Sequence, residues 1–427
     1  MTVPSSPQPQ APRTIRLVEG AEFLGRYQSS GAVEAPFLIR RADGVVIEVS
    51  PVLYLLASSL AESRHVDEIA TSMTAHVGKR ISRADIHYLI ERKLRPLGVV
   101  EDDRRVRPAA SARGAGPLPV RAAMIPAGLV MKVATWLRPL FLPAVVVPSL
   151  VLLAIVDVWL FVGHGVPAGL DDFFHRPTLL VMALAITVAA AVFHEFGHAT
   201  ASRYGGAVPG AIGAGIYLIW PVFFNDMNDS YRLSRSGRIR ADLGGVYFNV
   251  LFVLLLAAAY LVTGFEPLAV LIMLHHLLIL QQFVPFVRLD GYYLVSDLAG
   301  VPDLFRYVRP VLGSLVPWRR TPRALTALRP GPRAVVTAWV MVTVPLLGVA
   351  LTLLVVRLPH LLATVWASSM RQGDVLAAAL RAGAPGPALG SGLQLTLLMV
   401  PFAGLAVVLV RAAARKSSSY AGRPDRG

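Results

Sequence analysis

Long apolar runs separated by short polar segments dominate the chain. Six of these runs are long enough to cross the roughly 30 Å hydrocarbon core of a bilayer as helices. They lie near residues 138–162, 178–203, 241–264, 267–287, 334–356 and 391–411. The pattern predicts a mainly α, polytopic protein with six transmembrane helices in a lipid bilayer.

The residues before the first apolar run follow a different pattern. The stretch FLIRRADGVVIEVS alternates apolar and polar positions around Asp43-Gly44, which is typical of a β-hairpin. Helical patterns follow in PVLYLLASSL and VDEIATSMTAHVG, and a third begins after Ser82, where Ser82 and Asp85 predict a capping box. A hairpin and three helices predict a small winged-helix (α+β) domain over residues 31–105.

These patterns divide the chain into five segments. We predict a flexible N-terminal segment 1–30, the winged-helix domain 31–105, an Arg/Ala/Gly/Pro-rich linker 106–135, a transmembrane domain 136–415 and a flexible tail 416–427.

Composition agrees with a membrane protein, because 55% of the residues are hydrophobic and only 16% are charged. The formal net charge is +15, but the positive side chains mostly flank the apolar runs, as orientation in a membrane requires. We therefore expect no nucleic-acid partner. The absence of cysteine excludes disulfides and thiolate metal ligands, so that only His, Asp and Glu remain as metal ligands.

Arginine-rich segments predict the orientation in the membrane. Residues 231–240 and 288–333 are rich in Arg and are expected in the cytoplasm, whereas the loop with Asp171 and Asp172 is expected outside. Six spans then place both termini in the cytoplasm and residues 357–389 outside. The sequence leaves the oligomeric state unknown.

The second apolar run ends in the motif HEFGH. His194 and His198 are four residues apart, so that a helix places both on one face, where two imidazoles can bind one zinc ion. Glu195 lies on a neighbouring face and can accept a proton from the attacking water. A chance match would explain the motif alone, but ionisable side chains inside a membrane are costly and mark functional sites.

A third ligand is needed, and Asp290 in the segment LQQFVPFVRLDGYYLVSDL is the candidate. Its carboxylate would complete a site of two His and one carboxylate with one position open for water, as in catalytic zinc sites. A surface Asp-Gly turn is the alternative. Pro285, which interrupts the apolar run at membrane depth, favours a shaped site.

Three motifs carry a family resemblance. With HEFGH, GGVYFN and RLDGYYLVSD, the chain resembles the site-2 protease family of intramembrane zinc metallopeptidases, in particular the bacterial branch of peptide zinc metalloproteases. The resemblance implies that His194, His198 and Asp290 bind Zn²⁺, that Glu195 is the general base, and that the protein lies in a bacterial-type inner (plasma) membrane.

The chain departs from the family pattern at two positions. Val246 replaces a proline, and Gln282 stands where the family often has an asparagine, whereas Asn249 is retained. Asn249, Gln282 and Asp226 are candidate substrate-positioning residues. Asp226 lies in PVFFNDMNDSYRL, which we interpret either as an interfacial loop or as a re-entrant hairpin that presents the substrate as a strand.

Three further polar residues lie within apolar runs. We interpret His275 and His276 as groups for helix packing or proton handling, because a helix would place them too far from Asp290 to bind the same zinc. Asp157 is an intramembrane acid with no evident partner.

The N-terminal domain resembles the winged-helix peptide-recognition elements of peptide-modification pathways, including the small PQQ peptide chaperone. Such domains add an extended leader peptide to the edge of their sheet, which here would lie near Val45–Val49. A regulatory or purely structural cap is the alternative.

The expected function is that of a membrane-embedded zinc endopeptidase that cleaves a peptide or membrane-protein substrate near the cytoplasmic face. One alternative is a catalytically inactive, membrane-bound peptide-binding or assembly module of a peptide maturation or export system. A second is a metal-handling transporter, which the absence of a repeated six-span pattern disfavours.

Overall fold

The structure, a computed structural model, consists of two compact units, Met1–Ala112 and Arg113–Gly427. It describes residues 17–27, 29–41, 45–62, 65–100, 121–165, 176–217, 219–316, 318 and 321–421.

An antiparallel sheet opens the first unit. Its strands are β1 (Glu22–Arg26), β2 (Phe37–Arg40) and β3 (Val46–Val49), in the order β1-β2-β3. Strands β2 and β3 form the predicted hairpin, although its turn lies outside the described residues. Strand β1 lies within residues 1–30, which we expected to be flexible; instead it pairs with β2 and satisfies the backbone groups of that edge.

Three helices follow in the first unit, as predicted: α1 (Pro51–Glu62), α2 (Val66–Val77) and α3 (Arg83–Leu89). The capping box of α3 is confirmed, because the Asp85 N–H donates to Ser82 Oγ over 3.2 Å and the Ser82 N–H donates to Asp85 Oδ2 over 3.0 Å. Helices and sheet bury one apolar core. The winged-helix assignment itself stays a prediction.

The second unit is mostly helical. Its elements are β4 (Arg121–Ile125), α4 (Ala127–Leu137), α5 (Pro143–Val158), α6 (Pro177–Tyr204), β5 (Ile212–Tyr217), β6 (Trp220–Asn225), α7 (Arg235–Asp242), α8 (Gly244–Thr263), α9 (Pro267–Gln281), α10 (Asp290–Ala299), α11 (Val308–Ser314), α12 (Arg323–Thr326), α13 (Pro330–Arg381) and α14 (Pro385–Ala421).

Within the described residues, five helices are long and apolar enough to cross a membrane, one fewer than the six spans predicted. They are Pro143–Gly163, Thr178–Tyr204, Gly244–Thr263, Pro330–Arg381 and Pro385–Val410. The run 267–287 differs, because α9 has only 15 residues and ends at Gln281. At 1.5 Å per residue it is about 22 Å long, less than the hydrocarbon thickness.

Helix α13 also departs from the predicted pattern. It continues for 52 residues to Arg381, so that most of the segment expected outside the membrane, 357–389, extends the same helix. Helix α14 runs to Ala421, into the predicted tail 416–427.

The predicted linker 106–135 contains regular structure in its second half. Residues 101–120 lie outside the described residues, but Arg121–Ile125 forms β4 and Ala127 starts α4. Strand β4 pairs with β5, which pairs with β6, giving an antiparallel sheet in the order β4-β5-β6. Strands β5 and β6 form a hairpin that ends just before Asp226. That this hairpin re-enters the membrane and presents the substrate as a strand stays a prediction.

Helices α6 and α8 touch through their backbones. A Cβ on Gly197 of α6 would lie 2.3 Å from the Gly244 carbonyl oxygen, and a Cβ on Gly244 would lie 2.6 Å from the Gly197 carbonyl oxygen. No other residue type fits at either position without moving a helix. This contact fixes the first turn of α8 against the middle of the HEFGH motif.

A buried ion pair connects α7 to α10. Arg238 and Asp297 are 1% and 6% exposed, and Arg238 Nε donates to Asp297 Oδ1 over 3.1 Å. Arg238 Nη1 also donates to the Leu233 carbonyl oxygen. Because Asp290 starts α10, the pair orients the helix that carries the third candidate ligand.

The replacement Arg238→Met should lower the free energy of unfolding by about 3–5 kcal/mol, because it leaves the Asp297 carboxylate buried without its cation. Thermal unfolding of the detergent-solubilised protein, followed by circular dichroism, measures the change.

Arg232→Met is the matched control, since Arg232 is 54% exposed in its ion pair with Asp229 and such a pair contributes about 1 kcal/mol or less. Equal unfolding midpoints for the two variants would contradict a structural role for the buried pair.

Candidate metal centre

Two helices bring three metal-binding side chains together. His194 and His198 lie on one face of α6, and Asp290 is the first residue of α10. The two Nε2 atoms are 3.1 Å apart, and they lie 3.2 Å (His194) and 3.3 Å (His198) from the nearest Asp290 carboxylate oxygens. Two ligand atoms of a tetrahedral zinc are about 3.3 Å apart, so the two Nε2 atoms and the Asp290 carboxylate lie at spacings that suit one such ion.

The hydrogen bonds behind the imidazoles point Nε2 of each ring inward. His198 Nδ1 donates to the Ala241 carbonyl oxygen over 2.8 Å. Asn249 Nδ2 lies 3.0 Å from His194 Nδ1, so the amide nitrogen, a donor, faces this ring atom. Turning the amide by 180° would bring its oxygen to the same place as an acceptor for the Nδ1 proton, which is the arrangement that a metal-binding Nε2 requires. In that arrangement both Nε2 atoms carry lone pairs, which face each other and a carboxylate. Such an arrangement is stable when a cation lies between the three groups.

The surroundings of the ligands also suit a cation. A Cβ on Gly245 would lie 2.5 Å from Nε2 of both histidines, so glycine leaves space there that a side chain would fill. Asp290 Oδ2 is buried and accepts no hydrogen bond from the described residues. Burial alone would raise the pKa of Asp290, but attraction to positive charge on the His198 and His194 rings outweighs it and holds this pKa below its usual range. A metal ion bound between the three groups would supply that charge with both Nε2 atoms unprotonated. The carboxylate is therefore ionised.

The ligands lie in a cavity of about 590 Å³ that also contains Glu195. Glu195 follows directly after His194, and its backbone carbonyl oxygen accepts a hydrogen bond from Asn225 Nδ2 over 3.4 Å. Tyr293 also lines the cavity, and burial raises the pKa of its phenol, which stays protonated at neutral pH. The cavity therefore combines three side chains that could bind a metal with the Glu195 carboxylate and further charged and polar groups, among them Arg288.

The other predicted site residues have different surroundings. Asn249 and Gln282 both line the cavity. The Gln282 carbonyl oxygen accepts the N–H of Gly291 over 2.9 Å, so the end of α9 holds the first turn of α10 in place. Asp226 is not part of the lining; its backbone pairs with Gly210 and Ala211 at the base of the hairpin.

Asn225 takes the position in the cavity that we expected for Asp226. The sequence gave no signal that separates Asn225 from Asp226, because five consecutive residues, 221–225, line the cavity and the alternation of side chains along a strand does not decide which residues face it. The sequence also gave no signal for the Ala241 carbonyl, since any residue type supplies a backbone oxygen.

The two histidines of α9 have separate environments. His276 Nε2 lies 2.8 Å from Asp157 Oδ1 on α5, so that Asp157, for which no partner was evident in the sequence, has one. His275 instead lines the cavity together with the three candidate ligands. Among the described residues, the one cluster of three or more side chains that could hold a metal ion consists of His194, His198 and Asp290. Neither histidine of α9 belongs to this cluster.

Comparison with known proteins gives one distant relative. Over 141 residues the chain is 24% identical to a Bacillus subtilis (strain 168) protein named "Putative peptide zinc metalloprotease protein YydH". The match covers 33% of this chain and 56% of that protein. No family model and no solved structure matches the chain. The similarity suggests a metalloprotease at the coarse level, and the triad of His194, His198 and Asp290 could bind its metal.

Metal analysis of the purified protein tests the triad. We expect about one zinc per chain in the unaltered protein, most of it lost in Asp290→Ala and all of it kept in Glu195→Gln, because Glu195 is not a ligand. Elemental analysis after removal of loosely bound metal gives the ratio. Equal zinc in the unaltered protein and Asp290→Ala would refute the role of Asp290.

The contact between Asn249 and His194 leads to a second prediction, which concerns zinc affinity. Asn249→Leu removes the side-chain amide whose oxygen, once turned toward His194 Nδ1, can accept its proton, and should weaken zinc binding about 10- to 100-fold. Asn249→Asp keeps an acceptor oxygen and should bind zinc more tightly than the leucine variant. Competition with a chromophoric chelator measures both affinities, and unaltered affinity in Asn249→Leu would exclude the contact from metal binding.

Proposed function

We propose that the protein is a membrane-embedded zinc endopeptidase of the site-2 protease type. The observation that carries the proposal is the convergence of two imidazole Nε2 atoms and one carboxylate, at distances of 3.1–3.3 Å, in a cavity that also holds Glu195. The five apolar helices agree with a membrane location. The named relative agrees with metal-dependent peptide hydrolysis.

His194, His198 and Asp290 would hold the zinc, which when bound polarises the scissile carbonyl and makes water more acidic. Glu195 accepts the proton of the attacking water on a carboxylate oxygen and passes it to the departing amine. The hydrogen bond from Asn225 to the Glu195 backbone fixes the turn of α6 that carries this carboxylate.

Strand β6 is well placed to bind an extended substrate. Five consecutive residues, 221–225, line the cavity. Side chains alternate between the faces of a sheet, so an unbroken lining run means that the edge of the strand faces the cavity. In the described residues β6 is an edge strand of its sheet. A peptide added at this edge would be unwound, which exposes its bonds to hydrolysis.

The first unit is the proposed recognition element for the substrate. Strand β3 (Val46–Val49) lies at the edge of its sheet in the described residues, as strand addition requires. We propose that the substrate is a peptide or membrane protein that is cleaved near the cytoplasmic face, and that both termini of this chain also lie in the cytoplasm.

Deleting residues 1–105 should raise KM for the native substrate far more than it lowers kcat, at unchanged zinc content. An unaltered KM would favour the regulatory-cap alternative.

A catalytically inactive peptide-binding module is the competing function, and the edge strand β3 is the observation that favours it. Both functions include peptide binding, but only the peptidase depends on Glu195. Dependence on that carboxylate therefore separates them.

The test uses the full chain in lipid nanodiscs and a proteome-derived peptide library, with new termini identified by mass spectrometry. Glu195→Gln should lower the cleavage rate about a thousandfold, because the amide cannot accept the proton of the attacking water and a general base contributes roughly this factor. A chelator should abolish cleavage, and added zinc should restore it.

Asp157→Asn is the matched control, because Asp157 is a membrane carboxylate that contacts His276 rather than the triad. Equal cleavage by the unaltered protein and Glu195→Gln, or none by either, would reject the peptidase in favour of the binding module.

A further inference from the structure

His275 is a buried histidine in the cavity, outside the metal-binding triad. It is 2% exposed and lines the cavity that contains His194 and Glu195. One side of its ring contacts the Phe252 ring, with centroids 5.4 Å apart. A histidine this deeply buried needs hydrogen-bond partners for both ring nitrogens.

Among the described residues, only one of those nitrogens has a hydrogen-bond partner. Nδ1 lies 2.8 Å from the Leu271 carbonyl oxygen, and since a carbonyl can only accept, Nδ1 carries the proton. In the neutral ring Nε2 is therefore an acceptor. It makes no hydrogen bond with the described residues. His275 thus brings to the cavity wall an acceptor that has no donor among the described residues.

Spacing along α9 shows how far this acceptor is from the metal-binding end. His275, Leu278 and Gln282 all line the cavity, at positions i, i+3 and i+7 of one helix face. Gln282 binds the backbone next to Asp290 and so marks the level of the triad. His275 is seven residues away, about 10 Å along the helix axis.

Helix α6 lines the cavity over a similar distance from the triad as α9 does. Thr187 and Ala191 line the cavity one to two turns before His194, so the space continues past the triad between two helices. Small side chains on α6 leave room for a peptide there. An extended peptide rises about 3.3 Å per residue, so 10 Å corresponds to about three residues.

We propose that Nε2 of His275 is a substrate-binding acceptor, which takes a hydrogen bond from a donor about three residues from the cleaved bond. The donor is an uncharged N–H or O–H group, either a backbone amide of the unwound peptide or a Ser or Thr hydroxyl. The proposal rests on the peptidase function, but it concerns binding and can be tested without cleavage.

The test measures peptide retention on immobilised Glu195→Gln protein in nanodiscs, with the same peptide library as probe. Adding His275→Phe keeps an aromatic ring and removes the acceptor, and should lower retention of the best-bound peptides about five- to tenfold. His275→Gln supplies a side-chain oxygen and should recover part of the retention. Zinc content should be the same in all variants.

Leu277→Phe is the matched control, since Leu277 is 57% exposed on α9 and outside the cavity lining; it should retain peptides like its parent. Two versions of a retained peptide identify the donor. Ser/Thr→Ala substitution abolishes the effect of His275→Phe if the donor is a hydroxyl, and N-methylation abolishes it if the donor is a backbone amide.

Equal retention with and without His275→Phe, or no retained peptide at all, would overturn the proposal. Loss of retention in His275→Phe without any Glu195-dependent cleavage would support the acceptor role and reject the peptidase instead. In a cleaving enzyme the same substitution should raise KM and leave kcat within about twofold, because the lost bond is present in both ground and transition states.

Discussion

The backbone contact between α6 and α8 is the constraint on which the rest of the site depends. Gly197 and Gly244 allow a carbonyl of each helix to reach the Cα of the other, which any side chain would prevent. In a membrane, where lipid tails are as apolar as the helices, close packing of this kind is a main source of helix association. The first turn of α8 therefore lies against the histidines rather than a side-chain layer away.

Several features follow from that contact. Gly245, one residue on, leaves open space beside both Nε2 atoms. Asn249, one helical turn further, reaches Nδ1 of His194. The Ala241 carbonyl, at the end of α7, reaches Nδ1 of His198. A short segment of chain thus orients both imidazoles. The ion pair between Arg238 and Asp297 connects this segment to α10, which begins at Asp290.

Local features of this protein could be predicted from sequence, and long-range ones only in part. The placement of His194 and His198 on one face and the capping box of α3 follow from helical geometry over four residues. The pairing of β2 with β3 follows from the alternation of apolar and polar residues. Helix α9 was predicted to be longer, because hydropathy extends past Gln281 whereas the helix ends before Pro285 to form the turn that carries Asp290. Hydropathy therefore located the apolar run 267–287 but did not show that its helix ends at Gln281.

X-ray absorption at the zinc edge of the purified protein tests the metal centre most directly. Two imidazoles and one carboxylate should appear as a first shell of four light atoms near 2.0–2.1 Å, with the multiple-scattering signal of two histidine rings. Asp290→Ala, if it retains any zinc, should keep both imidazole signals and lose one oxygen. A spectrum without imidazole scattering, or with a six-oxygen shell, would contradict a zinc site built from His194, His198 and Asp290.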